Sequence, residues 1–348
     1  MIFTSDNWAG ASDAVMAALA THNSGAVPAY GDDPLTTQVT ERFSTLFERD
    51  VAVFFVATGT AANALALASV TPPGGITFCH ASAHIRVDEC GAPEFLGSGR
   101  LHPVAGPAGK MELAALKEAM DAYPEGGVHH GQAAAVSLSQ ATEAGTAYTP
   151  DEVAAFAEVA RSRSMALHMD GARFANALVA LGATPAEATW KAGVDILSFG
   201  GTKNGCWCAE AVVFFDPDKA AQFPYLRKRA GHLFSKSRFV AAQFDAYLAD
   251  NHWHALAAHA NGQARRLAEG IGKSNIARLA WPNRSNELFV ILAEPAFAAL
   301  EAAGAALHEW PADVLDGTDR LGKDERLVRL VTSFRTRDDE VDRFLACL

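Results

Sequence analysis

The chain has 348 residues, 49% of them hydrophobic and 20% charged, with a formal net charge of −11. That length and apolar content fit one large domain plus a smaller one, and the acidic balance argues against a nucleic-acid or anionic-membrane partner. The longest apolar run, Val51 to Ala57, is far short of the ~20 residues that span a bilayer.

The five cysteines (Cys79, Cys90, Cys206, Cys208 and Cys347) include no Cys-x-x-Cys spacing, which points to a reduced, cytoplasmic setting. No lysine or arginine precedes Arg42, so the basic region of a signal peptide is missing.

In chain order, Val51–Val56 reads as a strand that runs into Thr58-Gly59-Thr60-Ala61-Ala62-Asn63, a glycine turn opening a helix. Free N–H groups there, with the hydroxyls of Thr58 and Thr60, form a ready anion site. Alone, that turn is an ordinary strand-to-helix connection. Ile76–Cys79 is the next strand, and His84 follows it in a loop. An imidazole so placed can stack on a flat ring and move protons near neutrality, though a lone loop histidine is more often a surface residue.

Met111–Ala122 has helical periodicity, and Ala134–Ser139 reads as a strand. Asp151–Ser162 reads as a helix with a clear start: Thr149 as N-cap, Pro150 at the first position and Glu152 completing a capping box. Strand Met165–Met169 leads into Asp170-Gly171-Ala172-Arg173, Pro185–Lys191 is helical in pattern, and Ile196–Phe199 and Ala211–Phe215 are further strands. This alternation predicts an α/β architecture with a mostly parallel sheet covered by helices. Functional residues then belong beyond the carboxyl ends of the strands.

After Phe215 the pattern changes. Lys236 to Gly270 reads as a long helical stretch broken near Asp250-Asn251, followed by strands Leu288–Leu292 and Leu327–Thr332 and helices around Pro295–Ala303 and Asp338–Leu345. We therefore expect a large domain over residues 1–240 and a smaller α+β domain over 241–348. His252, His254 and His259 lack the i, i+4 spacing of a helical zinc pair, and no metal site is expected.

The most informative pair is Lys203 and Asp170. Lys203 ends the apolar strand Ile196–Phe199 in a small-residue segment, with no other charge between Asp195 and Glu210. Such surroundings desolvate an amine, lower its pKa and make it nucleophilic. A lysine that ends one buried strand, beside an aspartate that ends its neighbour, suits pyridoxal 5'-phosphate (PLP). The amine forms a Schiff base, and the acid keeps the pyridine nitrogen protonated. A nucleotide phosphate loop is excluded, because Gly200-Gly201-Thr202-Lys203-Asn204 lacks the Gly-Lys-Ser/Thr core.

With those residues in place, the chain resembles the threonine aldolase and β-eliminating lyase family of fold-type-I PLP enzymes, and within it the low-specificity L-threonine aldolases. The resemblance covers nearly the whole chain. It rests on Ser5-Asp6-Asn7, Tyr30-Gly31-Asp32-Asp33-Pro34, the Thr58–Asn63 turn, Ala83-His84, His168-Met169-Asp170-Gly171-Ala172-Arg173, Gly201–Gly205 and Arg329-Leu330-Val331-Thr332.

The resemblance implies an aspartate-aminotransferase-like fold. Lys203 would carry the cofactor and Asp170 pair with its ring nitrogen, with Thr58, Gly59 and Thr60 at the phosphate and His84 stacked on the ring. Arg173 and Arg329, with Ser5, would hold the substrate carboxylate. Lys228 and Tyr30 would reach a neighbouring subunit's site in a homotetramer of paired dimers. Many relatives carry a histidine near the substrate hydroxyl, in the loop after the middle strand; here the position is Glu143 or Thr142.

The implied reaction is retro-aldol cleavage of L-threonine, L-allo-threonine and other β-hydroxy-α-amino acids to glycine and an aldehyde, with the base being His84, Glu143 or a water. The alternatives are β-elimination on the same scaffold, which yields pyruvate instead, and PLP binding without turnover, which would need no arginine clamp.

Overall fold

The computed structural model describes residues 1–312 and 321–348. Seven strands form the main sheet: β1 (Ala52–Val56), β2 (Ile76–His80), β3 (Arg100–Val104), β4 (Ala133–Ser139), β5 (Ala166–Gly171), β6 (Ile196–Gly200) and β7 (Glu210–Phe214), in the order β1-β7-β6-β5-β4-β2-β3. From β3 to β6 every pairing is parallel, and β7 runs antiparallel to both β6 and β1. Strands β2, β6 and β7 are buried along their whole length. They accordingly read as continuous apolar runs rather than alternating ones.

The expected α/β class and six of the seven strands are as read from the sequence. The seventh, β3, carries Arg100, His102 and Pro103 and pairs only with β2. Polar residues and a proline are tolerated at an edge, where they remove the apolar signal. The expected helix over Pro185–Lys191 does not form; the segment is a set of turns ending in a 3₁₀ turn, Trp190–Ala192. Thr189 donates its hydroxyl to Pro185 O at 2.5 Å, and its backbone (φ −127°, ψ −103°) leaves the helical region. This is the usual competition of a threonine side chain with helix hydrogen bonds.

A second sheet is antiparallel throughout, in the order β10-β11-β9-β8: β8 (Ala277–Leu279), β9 (Glu287–Ala293), β10 (His308–Glu309) and β11 (Glu325–Val331). The long helical stretch breaks where expected, at Asp250 and Asn251 with φ of 49° and 59°. Helix Arg238–Leu248 puts Phe244 and Tyr247 into the main apolar core, whereas helix His252–Ile271 ends with Ala264, Leu267 and Ile271 in the second core.

Phe3 is buried in that second core, and its backbone is bonded to Ala306 and Val331. This anchor places Ser5, Asp6 and Asn7 at the junction of the two sheets. Thr149 caps helix Pro150–Ser162 with the expected capping box.

Candidate active site

Strand order brings the two most informative residues together. β5 and β6 are neighbours, with Asp170 opposite Ser198, so Asp170 and Lys203 both lie past the carboxyl edge of the sheet. They line one cavity of about 350 Å³ together with Thr58, Gly59, Thr60 and His84. Below it, Phe199 anchors β6 in an aromatic cluster, 5.2 Å edge-on from Phe43. His168 is tied to Ser137 and Ser198 across three strands, at 2.9 and 3.0 Å. Burial lowers its pKa to about 4, so this imidazole is a neutral strut beneath Asp170.

The Asp170 carboxylate accepts from Asn63 Nδ2 at 2.8 Å and from the Ala172 N–H at 3.0 Å. Asn63 Nδ2 also donates to Glu89 Oε1 at 2.9 Å, and the same oxygen lies 2.8 Å from His84 Nδ1. The chain Asp170–Asn63–Glu89–His84 thus fixes both the acid and the imidazole. The Glu89 hydrogen bond, set against partial burial, holds the His84 pKa above its ordinary value. A carboxylate on Nδ1 also selects the tautomer, leaving Nε2 with its lone pair when the ring is neutral.

At the helix opening, Thr58 Oγ1 accepts from Ala61 N at 3.2 Å, leaving the Gly59 and Thr60 N–H groups in the unbonded first turn. A Cβ built on Gly59 would meet nothing within 4 Å. An open, N–H-lined helix start beside a lysine and a buried aspartate fits a phosphorylated pyridinium cofactor.

Glu143 stands behind His84. Its Oε1 accepts from the His84 N–H at 2.8 Å and from Ser139 Oγ at 2.7 Å, while Oε2 is buried with no partner. Burial pushes its pKa up to about 7. Thr142 bonds instead to Thr146 and the Ala108 carbonyl, so of the two positions left open by the sequence Glu143 is the one joined to His84. Glu210, at the start of β7, also lines the cavity beside Lys203, and burial raises it to about 7.

The arginines sit at the junction of the sheets. Arg173 donates from Nε and Nη2 to Asp6 at 2.7 and 3.1 Å, and its Nη1 lies 3.2 Å from Glu287 Oε2. Arg329 Nη1 lies 3.9 Å from Glu287 Oε1. Burial opposes the Asp6 charge, yet Arg173 and Lys203 hold its carboxyl below the ordinary range. Burial prevails at Glu287, whose pKa is raised despite both arginines. Arg173, Arg329 and Ser5 do not themselves line the lysine cavity; their neighbours Ala172 and Asn7 do. Ser5 Oγ caps the Asp6–Trp8 turn by accepting from the Asn7 N–H at 3.2 Å. Lys228 and Tyr30 lie together, Nζ 5.2 Å from the ring centroid, and neither lines the cavity.

Residues 3–295 match the β-eliminating lyase family. The chain belongs to that family. It is 42% identical over 339 residues to the low specificity L-threonine aldolase of Pseudomonas aeruginosa, covering 94% of this chain and 97% of that one. A Pseudomonas sp. protein of the same name is 42% identical over 87% of both chains. Among solved structures, a threonine aldolase from Leishmania major superposes with a TM-score of 0.91 at 28% identity, covering 99% and 97% of the two chains. A protein from Escherichia coli with a methionine aminotransferase function (TM-score 0.73, 14% identity, 98% and 90% covered) shares the fold. That fold is the fold-type-I architecture of PLP enzymes.

Proposed function

We propose that this chain is a PLP-dependent aldehyde-lyase that cleaves L-threonine, L-allo-threonine and related β-hydroxy-α-amino acids to glycine and an aldehyde. The observation that carries the reading is the cavity shared by Lys203, Asp170 and His84, with Asp6 and Glu287, the acids that hold Arg173 and Arg329, within electrostatic reach of Lys203. The 42% identical relatives of matching length support it.

In this reading Lys203 attaches the cofactor, Asp170 pairs with its ring nitrogen, and Thr58, Gly59 and Thr60 hold its phosphate. Bound there, PLP supplies an electron sink conjugated to the substrate Cα. Arg173, with Arg329, fixes the substrate carboxylate, and so sets which bond at Cα faces the sink. Neutral His84 accepts the β-hydroxyl proton at Nε2. The O–H electron pair becomes the aldehyde C=O, the Cα–Cβ bond breaks, and Cα regains a proton to give glycine. Glu143 positions the hydroxyl, or a water on it, through its unpartnered Oε2.

The same reading places Lys228 and Tyr30 toward a neighbouring subunit of a cytoplasmic homotetramer, and divides the chain into domains near residue 240. Ser5 joins the carboxylate clamp by releasing its cap on Asn7. No helix among the described residues is long and apolar enough to cross a membrane.

The test is to incubate the PLP-loaded protein with L-threonine and L-allo-threonine and follow acetaldehyde and glycine. Pyruvate in place of acetaldehyde would assign the chain to β-elimination, and no product from either would remove the aldolase reading.

A further inference from the structure

Three acids line the lysine cavity: Asp170, Glu89 and Glu210. The first two are committed, Asp170 to Asn63 and the Ala172 N–H, Glu89 to Asn63 and His84. Glu210 has no part in the steps above, yet its place in the sheet is specific. It opens β7, opposite Val56 of β1 on one side and Gly200 of β6 on the other. Those two strands run on into the Thr58–Thr60 turn and the Thr202–Asn204 turn that carries Lys203. Glu210 is thus held between the two turns that would bear the cofactor.

Its side chain is 6% exposed. Oε1 accepts from the Thr202 N–H at 3.4 Å, and the Thr202 hydroxyl bonds the carboxylate as well. That hydroxyl accepts from the Ala209 N–H at 3.3 Å, which leaves its single hydrogen to donate. The other titratable groups packed around Glu210 are neutral. Cys206 and Cys208 on the loop before β7, and Tyr247 on helix Arg238–Leu248, have pKa values raised by burial. The cation acting on Glu210 is Lys203. Its charge also reaches Asp6, Glu287 and His84, but these have their own partners in Arg173 and Glu89. Burial favours a neutral Glu210 and a cationic neighbour an ionised one. The carboxyl therefore responds to the state of Lys203, ionising when the lysine is a free ammonium.

We infer that Glu210 is the positioning residue that holds Lys203 as an ammonium once the substrate amine has displaced it, and that Lys203 then delivers the proton to Cα that completes glycine. In that step an Nζ–H bond breaks and a Cα–H bond forms. The new bond uses the electron pair that the departing aldehyde leaves behind, and Lys203 becomes a neutral amine, the form that can reattach. The β-hydroxyl proton goes to His84, so the two proton transfers use separate groups. The inference rests on the retro-aldol reading.

The experiment compares PLP-loaded wild type, Glu210→Gln and Glu210→Asp by NMR of deuterium uptake at Cα of glycine in D₂O, by acetaldehyde release from L-threonine in a single turnover, and by the pH midpoint of the bound cofactor's visible absorbance without substrate. Exchange on glycine passes the same Cα proton through Lys203, by microscopic reversibility. Glu210→Gln keeps the shape of the side chain and loses its charge. Exchange should slow at least about tenfold, the scale of weakened acid–base catalysis, while aldehyde release, which precedes the proton return, keeps its wild-type rate. The absorbance midpoint should move to lower pH, because no anion remains to stabilise positive charge at Lys203. Glu210→Asp keeps the charge one methylene further back and should fall between the two, so it decides if Glu210→Gln does not fold. Equal losses in exchange and aldehyde release would mean that Glu210 only shapes the turn. An unchanged exchange rate or an unmoved midpoint would equally overturn the assignment. Wild type that exchanges glycine but releases no aldehyde would sink the aldolase reading and leave the Glu210 assignment standing.

Discussion

The two walls of the candidate site are built on opposite electrostatic plans. On the cofactor side a neutral amide, Asn63, bridges two carboxylates, Asp170 and Glu89, and the second carboxylate grips an imidazole. On the substrate side two arginines meet two buried acids, Asp6 and Glu287. The first wall is a hydrogen-bonded scaffold that fixes direction: where Asp170 points, and which nitrogen of His84 is free. The second is a charge reservoir. Burial raises the Glu287 pKa despite both arginines, while the charges of Arg173 and Lys203 lower that of Asp6. Direction for bond breaking and charge for binding are thus supplied by separate structures.

That separation can be broken in steps, beginning with the residue on which both walls converge. Lys203→Ala should abolish turnover and the visible absorbance of bound cofactor, because no other described lysine lines the cavity. Wild-type absorbance and activity in the purified variant would show that the attachment point lies elsewhere.

The next largest effect belongs to the charge reservoir. Arg173→Ala leaves Asp6 and Glu287 buried without their shared cation, which costs roughly 3–5 kcal/mol of folding stability. Arg329→Ala removes a half-buried group with one distant ion pair, a hydrogen bond to the Thr4 carbonyl and a stack on Trp310, so it should cost folding less than Arg173→Ala and raise the substrate KM by about thirtyfold, equivalent to roughly 2 kcal/mol. Thermal melts beside steady-state kinetics separate the two. Equal stability losses would mean that the arginines are interchangeable, contrary to their different contacts.

The two walls also differ in how far the sequence exposes them. Lys203, Asp170 and the Thr58–Thr60 turn are legible because each ends an apolar strand, and parallel strands deliver their carboxyl ends to one edge. Asn63 and Glu89 lie near that turn and His84, yet nothing local marks them as bridge and grip; Asp170, which Asn63 links to Glu89, is 107 residues from Asn63 along the chain. Asp6 and Glu287 are less visible still. Each is one acid among 40 acidic residues, and its meaning appears only when β9 and the N-terminal segment pack against the end of β5. Strand β3 was hidden by its edge position, and the turns at Pro185–Lys191 by Thr189 bonding back on its own backbone.

On the cofactor wall, His84→Phe should keep a flat ring in place but lower kcat by about 10²-fold, the scale of a lost general base. A protonated imidazole cannot accept the hydroxyl proton, so wild-type kcat should fall as pH drops through the raised His84 pKa. Glu89→Gln weakens the hydrogen bond that raises it, and the acid limb should move to lower pH. A limb that stays in place in Glu89→Gln would detach the histidine from the observed pH dependence.

The smallest effect, and the finest test of the scaffold, lies behind the histidine. Glu143 has its pKa raised by burial from 4.5 to about 7, so between those values the folded chain keeps a proton that the unfolded chain has released. Stability then falls as pH rises through that window, because the unfolded state binds fewer protons than the native one. An amide in place of this carboxyl has no such proton to lose. Glu143→Gln should therefore show a smaller decrease in Tm between pH 5 and pH 8 than wild type, by on the order of 2–4 °C. The amide still accepts from the His84 N–H and Ser139 through its oxygen, so the scaffold survives and kcat should drop less than in His84→Phe. What changes is the unpartnered oxygen, Oε2, whose place is taken by a donor where the substrate hydroxyl is expected. The ratio of threonine to allo-threonine cleavage should shift accordingly. Parallel melting curves for both proteins, with an unchanged substrate ratio, would mean that Glu143 neither titrates in this window nor meets the substrate, and would leave His84 as the sole group on the hydroxyl.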